Sequence, residues 1–210
     1  MKLNLRKDDP TTEVTIRYGT SDDVGFVSVW DAAVGSDQHP FRLDACLFAR
    51  LAVKRYQTHR RLEKYATSIG DIADYTQDNP YAEVANFVLL EPSFPDFGQT
   101  IGVCHFRRTW CNNFVIDYLS VHPSLVRPKN SAAVKGAGSA LLYFASTVAI
   151  MTGASLLWGE ATQNSCNFYK DAFRLDETKD LIQAPRNNLE AFLLHMQTRY
   201  GYPNHVASRS

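Results

Sequence analysis

The chain has 210 residues, 45% hydrophobic and 21% charged, the balance of an ordinary globular protein. That excludes a disordered chain, a collagen-like repeat and a supercharged tail. Lysine plus arginine number 22 and aspartate plus glutamate 22, so no net field gathers nucleic acid or an anionic membrane. At this length about 70% of the unfolded surface can be buried, and the core needs no staples. Cys46, Cys104, Cys111 and Cys166 form no CxxC pair and no zinc-finger spacing, so they read as reduced thiols and no metal is expected. Residues 1–10 lack the apolar core of a signal peptide. No apolar run approaches the ~18–20 residues of a membrane span. A soluble, cytoplasmic protein with no membrane or nucleic-acid partner is expected.

In chain order, residues 13–18 alternate and predict a strand. Thr20 to Asp23 then supply an N-cap and first-turn acids, and Val24, Val27, Trp30 and Val34 recur at helical spacing. A second helix is expected over about 44–68, with Cys46, Phe48, Leu51 and Tyr56 among its apolar positions. Its basic run (Arg50, Lys54, Arg55, His59, Arg60, Arg61, Lys64) reads as a solvated face, because no aromatics are interleaved for base stacking. From Ala82 the period becomes two. Residues 83–90, 100–107 and 113–121 predict an antiparallel meander, and residues 91–98 a hairpin loop. Residues 136–152 predict a helix with Leu141, Leu142, Ala145, Val148 and Ala149 on one face and Gly153 as its stop. Residues 155–161 predict a strand, followed by a short helix opened by Asn164. Residues 189–198 read as a last strand, with a helix as the alternative. The order β-α-α-β-β-β-α-β-α-β predicts one α/β domain (an α+β mixed sheet) over 1–210, with a parallel crossover through 113–161.

The segment from Asn113 to Phe173 carries chemistry. Gly136-Ala137-Gly138 at a helix start lets a ligand approach free N–H groups at the positive end of the helix dipole, which suits a phosphate. The same residues also fit a flexible loop before a helix. A Rossmann fingerprint fails, since Leu141 stands at the third glycine. A P-loop fails too, since Ser139-Ala140 follows Gly138 where Lys-Ser/Thr is needed.

Several segments recur here in a recognisable order. They are Ile16-Arg17 with Ser21-Asp22-Asp23-Val24; Ile101-Gly102-Val103; Ile116 to Pro123; the Gly136/Gly138 helix; and Asn164, Phe168, Tyr169 and Phe173. This order resembles the GCN5-related N-acetyltransferases, the GNAT family. The resemblance implies a splayed mixed sheet flanked by helices and an acetyl-CoA-dependent N-acetyltransferase. It implies acetyl-CoA as cosubstrate and a primary amine, of a small molecule or a peptide, as acceptor. It places the pantetheine arm along the backbone of Leu119, Ser120 and Val121. It places the pyrophosphate on N–H groups of Val134, Lys135, Gly136, Ala137, Gly138 and Ser139, with Arg127, Lys129 or Lys135 supplying positive charge. Asn164 either meets pantetheine or caps its own helix.

By the same resemblance Tyr169 is the general acid that protonates the departing thiolate. Asp117 and Glu160 are each a base, a binder of a cationic acceptor or a salt-bridge partner. Period-two alternation puts Asp117 on one strand face with Leu119 and Val121. His105 and His122 are weaker candidates, and His122 more simply shapes its turn. The segment 34–41 borders the acceptor. A second reading is a CoA-binding sensor or scaffold, carried by Ala133 and Ala172, which replace a long polar residue and a glycine of the family pattern. A third uses a longer acyl-CoA. The acceptor's identity and the oligomeric state, a homodimer included, stay open.

Overall fold

The computed structural model describes residues 1–5, 12–28, 30, 39–93, 100–126 and 135–204. Its centre is the expected meander: β4 (Val84–Pro92), β5 (Gly102–Arg108) and β6 (Phe114–Val121), antiparallel throughout. The first seven residues of β4 are all buried. Such a continuous run marks a strand covered on both faces. Val84, Val88 and Leu90 pack on one side, and Phe87 and Leu89 on the other. Outside β4 lie β2 (Thr12–Tyr18) and β1 (Lys2–Leu5).

Four elements lead up to the meander. Thr20 closes a capping box with Asp23 and starts a short helical segment that runs into α1 (Val24–Ser28). The helix expected over 44–68 is instead α2 (Pro40–His59). It starts earlier because Pro40 sits in the first turn, where its missing N–H costs nothing. It stops earlier because β3 (Lys64–Tyr65) pairs with Val84 and Ala85. A second capping box then opens α3 (Ile69–Asp78): the Ser68 hydroxyl accepts from the Asp71 N–H, and the Asp71 carboxylate accepts from the Ser68 N–H.

Beyond the meander, α4 (Ala137–Met151) runs as expected and ends before Gly153, whose φ of +76° provides the left-handed stop. Then come β7 (Leu156–Glu160) and α5 (Cys166–Phe173). The expected last strand at 189–198 is a helix, α6 (Arg186–Tyr200). Its buried residues Leu189, Phe192, Leu193 and Met196 recur at three- and four-residue steps. The strand lies just before it, β8 (Leu181–Pro185), with Ile182 and Ala184 inward.

The sheet order is β1-β2-β4-β5-β6-β7-β8, with β3 beside β4. One face is covered by α4, the other by α2. Two local features of β6 position the site. First, β6 and β7 pair in parallel only at Phe114 to Ile116 with Leu157 to Gly159. At that last pair a Cβ on Gly159 would lie 2.9 Å from Ile116 O, so only glycine lets the strands meet there. Past it, β6 runs on to Val121 without β7, and the sheet splays. Second, the β5–β6 register shifts between His105 and Phe106. Asp117 is thereby an inserted residue between Ile116 and Tyr118, a β-bulge.

Candidate active site

Where β6 and β7 part, the protein holds a cavity of about 530 Å³, within the range of small-molecule sites. Its walls come from three places. Helix α2 gives Phe41, Asp44, Ala45 and Phe48; the start of α4 gives Lys135 to Ser139; and the segment from Glu160 into α5 gives Asn164, Phe168 and Tyr169. Strand β6 forms the floor, Ile116 to Val121.

The floor and the α4 wall are made of backbone. The His122 N–H donates to Ile101 O at 2.8 Å. Successive residues of a strand turn their polar groups to opposite edges, so Val121 and Leu119 turn theirs to the open edge. Ser120 does not join them. Its backbone faces β5, where it stands opposite Val103, and its hydroxyl donates to Ala45 O at 2.6 Å, tying β6 to α2. On the α4 wall, Gly136 is the N-cap at φ +98°, a conformation that side chains resist. The first intrahelical bond is Ala140 N–H to Gly136 O. The N–H groups of Ala137, Gly138 and Ser139 therefore precede the helical ladder, and among the described residues no side chain caps them. A Cβ on Gly138 would touch Phe168 Cζ at 3.4 Å, so this glycine also seats the Phe168 ring. Lys135 is exposed at the rim, the one cationic side chain among the described lining residues. Val134, Ala133, Arg127 and Lys129, like residues 34–38, lie outside the described residues.

Tyr169 lines the cavity from α5 with its ring edge-on to Phe168 at 5.0 Å. It is 5% exposed. Burial, with the Cys104 thiol as neighbour, pushes its hydroxyl pKa well above the usual value, so the phenol keeps its proton at neutral pH. Asn164 does not cap its own helix, whose N-cap is Ser165. Its Nδ2 instead donates to Asp44 Oδ2 at 2.6 Å, linking the α5 side of the cavity to α2. Glu160, at the end of β7, is exposed and borders the cavity.

Asp117 does not share a face with Leu119 and Val121. The bulge turns it to the α2 side, into a network of charged side chains. Arg107 Nε donates to both its oxygens at 3.2 Å, and Arg55 Nε stands 3.8 Å away. His105 Nδ1 lies 3.0 Å from Asp117 Oδ2 and Nε2 lies 2.8 Å from the Tyr65 hydroxyl. Burial alone would raise the Asp117 pKa, but His105, Arg107 and Arg55 outweigh it and hold the carboxyl below its usual range. His105 is fully buried, and that burial lowers its pKa more than Asp117 restores it. The imidazole is therefore neutral, with its proton on Nδ1 facing the carboxylate and Nε2 accepting from Tyr65. Asp117 is thus an ion-pair partner within the sheet, and a weak base. The basic run, which continues past the end of α2, is exposed at Arg50, Lys54, Arg60, Arg61 and Lys64. Arg55 and His59 are the exceptions: Arg55 pairs also with Glu63 at 2.7 Å, and His59 Nδ1 lies 3.1 Å from Arg55 O. His122 accepts from the Ser124 N–H through Nδ1 and shapes its turn.

Sequence reasoning put Phe41 at the pocket, with the segment 34–41, and missed Asp44, Ala45 and Phe48. Phe41, Asp44, Ala45 and Phe48 repeat at steps of three, one and three, one helical face. Starting the helix at Pro40 brings them together. Among the described residues no group of three His, Cys, Asp or Glu is placed to hold a metal. No described helix is long and apolar enough to cross a membrane.

No family description and no curated protein matches the sequence. Among solved structures, the chain is similar to an acetyltransferase of the GNAT family from Staphylococcus aureus Mu50, with 8% identity over 82% of this chain and 99% of that one and a TM-score of 0.48. It is similar to a GNAT-family acetyltransferase from Brucella melitensis in complex with acetyl-CoA, with 13% identity over 74% and 80% and a TM-score of 0.40. It is also similar to an uncharacterised protein from Bacillus halodurans, with 9% identity over 94% and 96% and a TM-score of 0.46.

Proposed function

We propose that this chain is an acetyl-CoA-dependent N-acetyltransferase of the GCN5-related type, acting on a primary amine. One observation carries the reading. The open edge of β6 at Leu119 and Val121 and the unladdered N–H groups of Ala137, Gly138 and Ser139 border the same cavity as Tyr169. An extended chain with an amide backbone can add to a free strand edge as another strand would. A pyrophosphate suits a helix start that has no side-chain cap. Pantetheine joined to pyrophosphate has both features in one molecule. The residues described therefore fit acetyl-CoA, with Lys135 as a further counter-charge at the rim.

The thioester supplies an activated acyl group, and the chain supplies orientation and protons. Attack of a neutral amine nitrogen on the carbonyl carbon forms the new C–N bond. Collapse then breaks the C–S bond and leaves negative charge on sulfur. Tyr169, protonated at neutral pH, is the group we assign to donate that proton. The ammonium proton lost by the acceptor goes to Glu160, directly or through water. Asp117 is not assigned this role, because Arg107, Arg55 and His105 stabilise its charged form. The cavity wall formed by Phe41 and Phe48 shields the reacting centre from water on the acceptor side.

The test has two parts: calorimetry of acetyl-CoA with the purified protein, and a panel of primary amines read by release of free thiol. Binding together with amine-dependent thiol release supports the enzyme. Binding without release from any amine favours the sensor or scaffold reading. Absence of binding removes the cofactor assignment.

A further inference from the structure

The cavity carries a charge that the transfer chemistry does not use. Asp44 sits on the α2 wall between Phe41 and Phe48 and is half-buried. Its Oδ2 accepts from Asn164 Nδ2 at 2.6 Å, which fixes the carboxylate's orientation from the opposite wall. Other buried or half-buried acids are already engaged: Asp23 and Glu91 by Arg17, Glu63 by Arg55, Asp117 by Arg55 and Arg107, and Asp71 by the N–H and hydroxyl groups of Thr67 and Ser68. Asp44 has no such cation among the described residues. A half-buried carboxylate on an aromatic wall, with a neutral amide as its partner among the described residues, leaves its charge available to a cationic ligand.

The ligand nitrogen that completes it is not the reacting one. Glu160 is already assigned to take the reacting amine's proton, and a second carboxylate beside that amine would only favour its ammonium form and oppose attack. A second ammonium on the same molecule has the reverse effect. It pairs with Asp44, so the carboxylate's charge is met there and no longer favours the ammonium form of the attacking amine. Phe41 and Phe48 flank Asp44 with apolar surface for an alkyl spacer, and aromatic faces tolerate a cation.

We propose that the acceptor is a dication, an alkyl diamine or a larger polyamine-like molecule, anchored by one ammonium at Asp44 while its other amine is acetylated. This inference rests on the acetyltransferase reading above. It adds Asp44 as the residue that sets acceptor specificity, with Asn164 positioning it.

The experiment compares cadaverine with pentylamine, matched in length and differing by one ammonium. Both are measured by thiol release at saturating acetyl-CoA, alongside calorimetry of acetyl-CoA alone. The expected result is a kcat/KM for cadaverine about tenfold or more above that for pentylamine, beyond the twofold owed to its second amine. In Asp44→Asn that gap should shrink to about threefold or less, mainly through KM. The new amide oxygen can accept the same Asn164 N–H, so the latch is kept and only the charge is lost. Equal efficiency of the two amines in the wild type would overturn the inference while leaving the acetyltransferase intact. So would a preference for cadaverine that survives Asp44→Asn. Turnover of neither amine would overturn it as well, and the calorimetry then shows whether the cofactor reading falls with it.

Discussion

Strand β6 presents two regions built from different material. Toward the splay and α4, its polar groups are backbone: the open edge at Leu119 and Val121, touched only by the Ser120 hydroxyl at 3.5 Å from Val121 O among the described residues, and the helix start at Ala137 to Ser139, where no described side chain caps. Toward α2, its polar groups are side chains, and each has a partner. Asp117, His105, Arg107, Arg55, Glu63 and Tyr65 form one connected network. The conspicuous charges hold the bulge in shape, whereas the inconspicuous unpaired amides face the cavity. Buried polar groups must find partners, so the region that lacks them is the one where we propose that the ligand binds.

The sharpest way to break this comparison is Gly138→Glu. A Cβ there makes only ordinary contact with Phe168, so the fold should persist. The carboxylate would place negative charge where the phosphate belongs. Acetyl-CoA affinity should fall by roughly a thousandfold or more, with the thermal midpoint nearly unchanged. Unaltered affinity in calorimetry would take the α4 start out of the site.

Tyr169→Phe comes next. The ring keeps its packing against Phe168, and only the hydroxyl is lost. Single-turnover rates should drop by about 10²–10⁴-fold, with acetyl-CoA affinity close to wild type. A rate within about threefold of wild type would leave Tyr169 a packing residue.

Asp117→Asn probes the other region. It removes the charge that pairs with Arg107 and that faces the His105 Nδ1–H. Discounted for partial exposure of the arginines, the expected loss of stability is about 2 kcal/mol, read from chemical denaturation. Acetyl-CoA affinity should stay within about threefold. A large loss of affinity with unchanged stability would reverse the two roles assigned here.

The smallest effect is one of pH. Burial lowers the pKa of His105 below its unfolded value of about 6.5. The unfolded chain therefore takes the proton first. The stabilisation is complete above about pH 6.5 and is lost as pH falls through the folded value. Asp117, also lowered, adds a loss in the same direction below about pH 4. The thermal midpoint should fall modestly between pH 7.5 and 5.5, and His105→Gln should flatten that fall.

The backbone region was the legible one. Glycines at 136 and 153 are written in the sequence because a helix start and stop there take positive φ, and the meander announced itself by its period of two. The α2 region was not legible. Period-two counting through β6 assumes an unbroken register, and the bulge at Asp117 breaks it without any local mark. The face of Phe41, Asp44 and Phe48 was hidden by starting the helix at 44 instead of at Pro40. The capping box Ser68-x-x-Asp71, which opens α3, was present, but Ser68 was taken as the end of the preceding helix and no helix was expected after it. The helical spacing of Leu189, Phe192, Leu193 and Met196 was also present, and the alternation at Ile182 and Ala184 just before it carries the strand. Asn164 reaches Asp44 across 120 residues of chain, a contact no local pattern encodes.

Hydrogen exchange with and without acetyl-CoA tests the central claim most directly, because the claim concerns particular amides. The account predicts new protection at Leu119, Val121, Ala137, Gly138 and Ser139, and unchanged exchange at His105 and Arg107 across the strand. Protection confined to α2 and the His105 network, with the β6 edge and the α4 start exchanging as before, would contradict it.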